Sequence, residues 1–190
     1  DGQHWRARSS VVLTGVGTIL KDNPLLNVRA VQTERQPIRA VIDGQFQLPE
    51  DSQLFNGDPV WIFTYTDNPA KQARLQAKNV DVIKLSKNGH KIDLNAVWQT
   101  FIERQVNEVH VEAGPGLNGA LLEAGLIDEL LVYMAPKIIG PGQSMFAHRE
   151  LSDLTGVSQF AWIEQDRIGE DLRLRLRNAE RWRALAQAVV

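Results

Sequence analysis

One stretch limits what this chain can be more than any other: Val109-His110-Val111-Glu112-Ala113-Gly114-Pro115-Gly116-Leu117-Asn118-Gly119-Ala120-Leu121-Leu122. Val109 and Val111 alternate with polar Glu108, His110 and Glu112, which is the period of a strand. Gly114, Gly116 and Gly119 follow in G-x-G-x-x-G register, ahead of an apolar helix. Glycine lets a ligand approach backbone that a Cβ would shield. The free N–H groups and dipole of a helix start favour an anion there, most often a phosphate. Two readings stay open on these residues alone, a phosphate cradle and a tight strand-to-helix turn that binds nothing.

The rest of the chain narrows the class. Its 190 residues suffice for one domain with a sizeable core, and 43% hydrophobic content argues against disorder. A net charge of −2 gives no basic field for nucleic acid or an anionic membrane. There are no cysteines, which removes disulfides, thiolate metal sites and cysteine nucleophiles and fits a reducing cytoplasm. No apolar run is long enough to span a bilayer, and no signal peptide is visible. His4, His90, His110 and His148 stand singly, so no metal site is expected. The chain opens at Asp1 without Met, and a longer natural protein is expected.

Taken in order, Ser10–Thr14 reads as a buried strand running into the turn Gly15-Val16-Gly17. Thr18 then opens or caps a short helix that ends at Asp22-Asn23-Pro24. Strands are expected at Ile38–Asp43, Val60–Tyr65 and Val80–Ile83, with a helix over Ala70–Ala77. Asp93 caps a helix whose apolar stripe is Leu94, Val97, Trp98, Phe101 and Ile102. After the glycine stretch come a strand at Glu129–Ala135, another at Phe160–Gln165 and a turn at Gly169-Glu170. Leu172, Leu174 and Leu176 then alternate with Arg173, Arg175 and Arg177, a strand expected to show its arginines to solvent. Ala179–Val190 reads as a helical tail. Helical crossovers imply parallel pairs and the late hairpin an antiparallel edge. The expectation is one α/β domain over residues 1–190, with a mixed, mostly parallel sheet, helices on both faces and a C-terminal antiparallel hairpin.

Three groups of residues could carry chemistry. The first is the glycine loop. The second is Glu112, at the carboxyl end of a strand, where open α/β sheets bind ligands. The third is Thr18, Asp22, Leu26 and Arg29, beyond the carboxyl end of the first strand. Arg29 has the side chain best shaped for a phosphate, in a charge-assisted contact of about 1.5–3 kcal/mol. A Rossmann unit would place an acid at the end of the next strand, but that strand runs into Pro136-Lys137. The glycine loop also comes late in the chain, which counts further against that fold.

Five segments in this order resemble one known family. They are Val12–Pro24 with Leu26 and Arg29; Gln36–Asp43; Val111–Leu122; Leu126–Leu130 with Ala135–Gly140; and Gly169–Leu172. The chain resembles the reductase domain of the bifunctional riboflavin-biosynthesis deaminase/reductase, whose fold is dihydrofolate-reductase-like. The resemblance implies NADPH-dependent reduction of 5-amino-6-(5-phosphoribosylamino)uracil to its ribitylamino product, in a cytoplasmic homodimer. It implies NADPH contacts at Thr18, Asp22, Gly44 and Gly114, Pro115, Gly116, Leu117, Asn118, Gly119 and Ala120. It implies substrate contacts at Arg6, Leu26, Arg29 and Glu112, with Arg29 and Arg6 toward the 5′-phosphate. Asp22 and Glu112 are the candidates for orienting the reacting ends or relaying a proton. Family members also carry a strand and a substrate-binding turn before the position of Asp1, and the bifunctional ones a zinc deaminase domain, so a fused deaminase is an expected partner. The alternatives are a stand-alone reductase of the same family, acting on the diaminopyrimidinone before deamination, and a nucleotide-binding module without catalysis.

Overall fold

The computed structural model describes residues 1–57, 59–147 and 156–188. His148 lies outside them. The chain forms two compact units, Asp1–Leu117 and Asn118–Val190. No described helix is long and apolar enough to cross a membrane.

The first unit is built on β1 (Val11–Gly15), a run of apolar and β-branched side chains in which Val11, Val12, Leu13 and Thr14 are all fully buried. β1 pairs in parallel with β2 (Ile38–Ile42) on one side and β7 (Val109–Val111) on the other. With β3 (Val60–Thr64) and β4 (Val80–Lys84) they make a five-stranded sheet in the order β4-β3-β2-β1-β7, parallel throughout. Parallel neighbours need crossovers; a helix lies in each of them except that from β2 to β3, where a loop carries only a short 3-10 turn, Gln53–Phe55. Side chains alternate across the sheet and so divide the core in two. Val12, Val41 and Ile62 pack with Ile19 of α2 (Val16–Asp22) and Leu75 of α3 (Pro69–Gln76). Val11, Leu13, Ala40 and Phe63 pack with Val97 and Phe101 of α4 (Leu94–Glu103). Helices therefore cover both faces of this sheet.

Side chains cap the starts of two α-helices in this unit. The Asp93 carboxylate accepts from Asn95 N and caps α4, and Asn68 caps α3 through Lys71 N. Three details differ from the sequence reading. α2 starts at Val16 behind an extended Gly15, so Thr18 lies inside the helix rather than at its cap. Ile102 stands at the edge of the α4 stripe and is 66% exposed. Three short elements show no apolar period: α1 (Gly2–Arg8), with no buried residue, and the two-residue hairpin strands β5 (Lys87–Asn88) and β6 (Lys91–Ile92).

The second unit holds a three-stranded antiparallel sheet, β8-β10-β9, from β8 (Glu129–Met134), β9 (Phe160–Ile168) and β10 (Asp171–Asn178). Helix α5 (Pro115–Glu123) begins in the first unit and ends in the second, and α6 (Ala179–Ala188) follows β10. The hairpin turns at Gly169, whose φ of 64° suits glycine.

The β10 arginines are not a solvated face. Register sets Arg173 opposite Asp166, Arg175 opposite Glu164 and Arg177 opposite Glu129. Arg173 pairs with Glu164 at 2.7 Å and with Asp166. Arg175 bridges Glu164 and Glu129 at 2.8 and 2.9 Å, and Arg177 reaches Glu129 at 2.6 Å. The acids that withdraw these side chains from solvent come from neighbouring strands, so only the register reveals them.

Candidate active site

In the parallel sheet every strand delivers its following loop to one edge. β1 is followed there by Gly15–Thr18, β2 by Asp43-Gly44 and β7 by Glu112–Gly116. The chain progresses from β1 to β2, β3 and β4, then returns to place β7 on the other side of β1. The strand order therefore reverses at β1/β7, the position where open α/β sheets open a ligand crevice.

Glu112 is fixed at that reversal. Its N–H donates to Leu13 O at 2.9 Å, and its carbonyl accepts from the buried Thr14 hydroxyl at 2.7 Å. Its carboxylate receives a two-pronged bond from Arg6 of α1, Nε to Oε1 at 2.6 Å and Nη2 to Oε2 at 2.7 Å. His110, two residues back and so on the same strand face, stands with Nε2 3.4 Å from Oε1. Burial pushes the Glu112 carboxyl up, but the Arg6 bonds and the His110 contact outweigh it and hold the pKa at about 2. The Arg6 pKa is raised, chiefly by its bonds to Glu112.

Arg6 has a third link: Nη1 donates to Asn27 O at 2.9 Å. This ties the 25–29 segment to the Arg6–Glu112 pair. Leu26, 2% exposed, adopts the left-handed conformation with φ 53°, a backbone state that costs a non-glycine residue about 1–2 kcal/mol. Arg29 is exposed; its N–H donates to the Gln3 side chain at 2.8 Å, and Nη1 lies 3.4 Å from Asn27 Oδ1. Thus Arg6, Arg29 and Glu112, dispersed in sequence, are joined through Asn27, whereas the neighbouring Leu26 packs in the core with Val12, Ile19 and Val41. Asp22, exposed at the end of α2, shares no hydrogen bond or ion pair with them among the described residues.

The glycines divide by role. A Cβ on Gly114 or Gly116 would meet nothing within 4 Å, so both leave the start of α5 open to close approach. Leu117 instead packs on Gly15. In the second unit a Cβ on Gly119 would fall 2.1 Å from Ala147 O, and Asn118 Nδ2 donates to Met145 O at 3.0 Å. The third glycine therefore serves chain packing. A Cβ on Gly44 would meet the Tyr65 ring at 2.5 Å, and Gly44 O accepts from Tyr65 N and from the Thr64 and Thr66 hydroxyls. Its lack of a side chain is accounted for by that packing. No group of three or more His, Asp or Glu side chains among the described residues could hold a metal. The sequence reading missed Gln3, Gln36 and the partnership of His110 with Glu112; of these, only the last had a signal, its i, i+2 spacing.

Comparison with known proteins fits this geometry. The model of the RibD C-terminal domain family matches residues 1–181. The 5-amino-6-(5-phosphoribosylamino)uracil reductase of Buchnera aphidicola (subsp. Acyrthosiphon pisum) is 32% identical over 92% of this chain and 89% of its own length. Riboflavin biosynthesis protein RibD of Escherichia coli is 33% identical over 93% of this chain and 51% of its own. The solved structure of Acinetobacter baumannii RibD superposes with a TM-score of 0.80 at 29% identity, covering 93% of this chain and 49% of that one. The chain thus spans most of the first relative and about half of the two longer ones.

The Arg6–Glu112 pair makes a prediction about acid stability. The native pKa of Glu112, about 2, lies below its ordinary 4.5, so the ionised carboxylate stabilises the fold. That contribution is complete above pH 4.5 and is lost as the pH falls toward 2. Arg6→Met is expected to raise the pH midpoint of acid unfolding followed by circular dichroism. An unchanged midpoint would show that the pair does not stabilise the fold. From the family match over residues 1–181, this chain belongs to the RibD C-terminal domain family.

Proposed function

We propose that this chain is an NADPH-dependent reductase that converts 5-amino-6-(5-phosphoribosylamino)uracil to its ribitylamino product. The observation that carries the reading is the bonded neighbourhood of Arg6, Arg29 and Glu112 at the β1/β7 reversal. These are among the positions at which the family resemblance implies substrate contacts. The near full-length likeness to a relative named for this reaction supports the same substrate. The family model runs across both compact units, which supports treating them as one reductase domain. E. coli RibD extends about as far again as this chain, in keeping with a deaminase domain alongside it.

The open backbone at Gly114 and Gly116 fits a cofactor diphosphate. Gly114–Leu117, with Thr18 and Asp22, is the narrowed NADPH site; Gly44, Asn118 and Gly119 are already used in packing. NADPH, when bound, supplies the hydride that reduces C1′ of the opened ribose. The protein holds the acceptor carbon in place and excludes water. Arg29 takes the substrate phosphate. A carboxyl ionised down to about pH 2 carries no proton at neutral pH, so Glu112 orients the substrate by accepting hydrogen bonds. Asp22, at the exposed end of α2, stays a candidate for orienting the reacting ends or relaying a proton. Homodimerisation belongs to the same reading. Trp162 and Met134, 67% and 55% exposed, are register partners of Leu176 and Leu172 on the apolar face of the antiparallel sheet.

These proposals have direct tests on the natural full-length protein. NADPH oxidation should require the phosphoribosylamino substrate; NADPH binding without turnover would favour a non-catalytic module. Glu112→Gln should lower kcat/KM by about 100-fold while leaving NADPH affinity unchanged. Gly114→Val should weaken NADPH binding at least tenfold by titration, about 1.4 kcal/mol, and retention of affinity would remove the cradle. Trp162→Glu should shift the mass measured by light scattering from dimer to monomer.

A further inference from the structure

We infer that Gln36 and Gln3 are positioning residues for Arg29, holding the 25–29 segment rigid so that the guanidinium is presented to the substrate phosphate before substrate arrives. The inference rests on the reading of Arg29 given above.

The 25–29 segment has no regular secondary structure, yet side chains from other parts of the chain hold almost every residue in it. Arg39 Nη1 lies 3.4 Å from Leu25 O, and Arg6 Nη1 donates to Asn27 O at 2.9 Å. The Gln36 amide satisfies both polar groups of Val28: Oε1 accepts from Val28 N at 2.7 Å and Nε2 donates to Val28 O at 2.9 Å. It pairs with Val28 as a neighbouring strand would. Gln3 Oε1 then accepts from the N–H of Arg29 itself at 2.8 Å. Val28 is 5% exposed, so these backbone groups have little access to water.

Such bracing answers a physical need. Leu26 is held at φ 53°, a conformation that persists only where the surroundings over-determine it. Without braces the segment would relax toward ordinary backbone angles and carry Arg29 with it. An exposed arginine on a loose loop would also lose conformational freedom on binding a phosphate, which weakens the contact. The glutamines remove the backbone share of that loss in advance and are neutral, so they do not compete with the phosphate for the guanidinium.

The test compares the substrate with its dephosphorylated counterpart in the full-length enzyme. The readout is the ratio of their kcat/KM values, which a general loss of stability leaves unmoved. Arg29→Ala should lower this ratio at least tenfold; if it does not, the phosphate role of Arg29 fails, independently of the glutamines. Gln36→Met should lower the ratio severalfold through KM, with kcat for the phosphorylated substrate nearly unchanged. Gln3→Met, which removes an exposed bond rather than a part-buried one, should act in the same direction and serves if Gln36→Met does not fold. In the Arg29→Ala background neither change should lower the ratio further. The inference is overturned if Arg29→Ala lowers the ratio while a folded glutamine variant leaves it within twofold of wild type. It is equally overturned if the glutamine effects persist without Arg29.

Discussion

Parallel pairing on both sides of β1 is the constraint from which the rest follows. Two strands running the same way cannot be joined by a tight turn, so each connection must cross a face of the sheet as a helix or long loop. Every strand then ends at the same edge. β2 joins one side of β1 and β7 the other, so loops from distant parts of the chain converge beyond their carboxyl ends. The core supports this order. Val12 and its neighbours face α2 and α3, while Val11 and Leu13 face α4. A one-residue slip of β1 would turn both sets to the wrong face.

The Arg6–Glu112 bond sits at that convergence and joins stability to chemistry. It fastens α1, which buries no side chain of its own, to the end of β7, and through Asn27 O it fastens the 25–29 segment as well. The same bond keeps Glu112 ionised and pairs its charge with the Arg6 guanidinium, so the edge presents a fixed ion pair. Preorganised charges of this kind need little reorganisation when a polar substrate binds.

Much of the fold was legible because burial leaves a period. The β-branched runs became β1, β2, β3 and β4, and Asp93 and the Val97–Phe101 spacing announced α4. What escaped lacked that signature. α1 is held by polar bonds from Arg6, Arg8 and Ser9, and β5–β6 is too short to show alternation. The site was half legible for the same reason. Glu112 and the glycine loop follow a recognisable strand, whereas Gln3 and Gln36 act across loops at separations that no local pattern encodes. Glycine proved the least transparent residue: Gly114 and Gly116 stand open, while Gly44 and Gly119 make room for Tyr65 and Ala147.

By itself the sequence determined the element types, the α/β class and the residues eligible for chemistry, because hydrophobic period, capping and side-chain chemistry are local properties. Only the tertiary structure decided which eligible residues meet. It set Arg6 on Glu112, turned the β10 arginines onto acids of two other strands and held Leu26 in its left-handed turn. These outcomes depend on strand order and register, which arise from contacts between residues far apart in the chain.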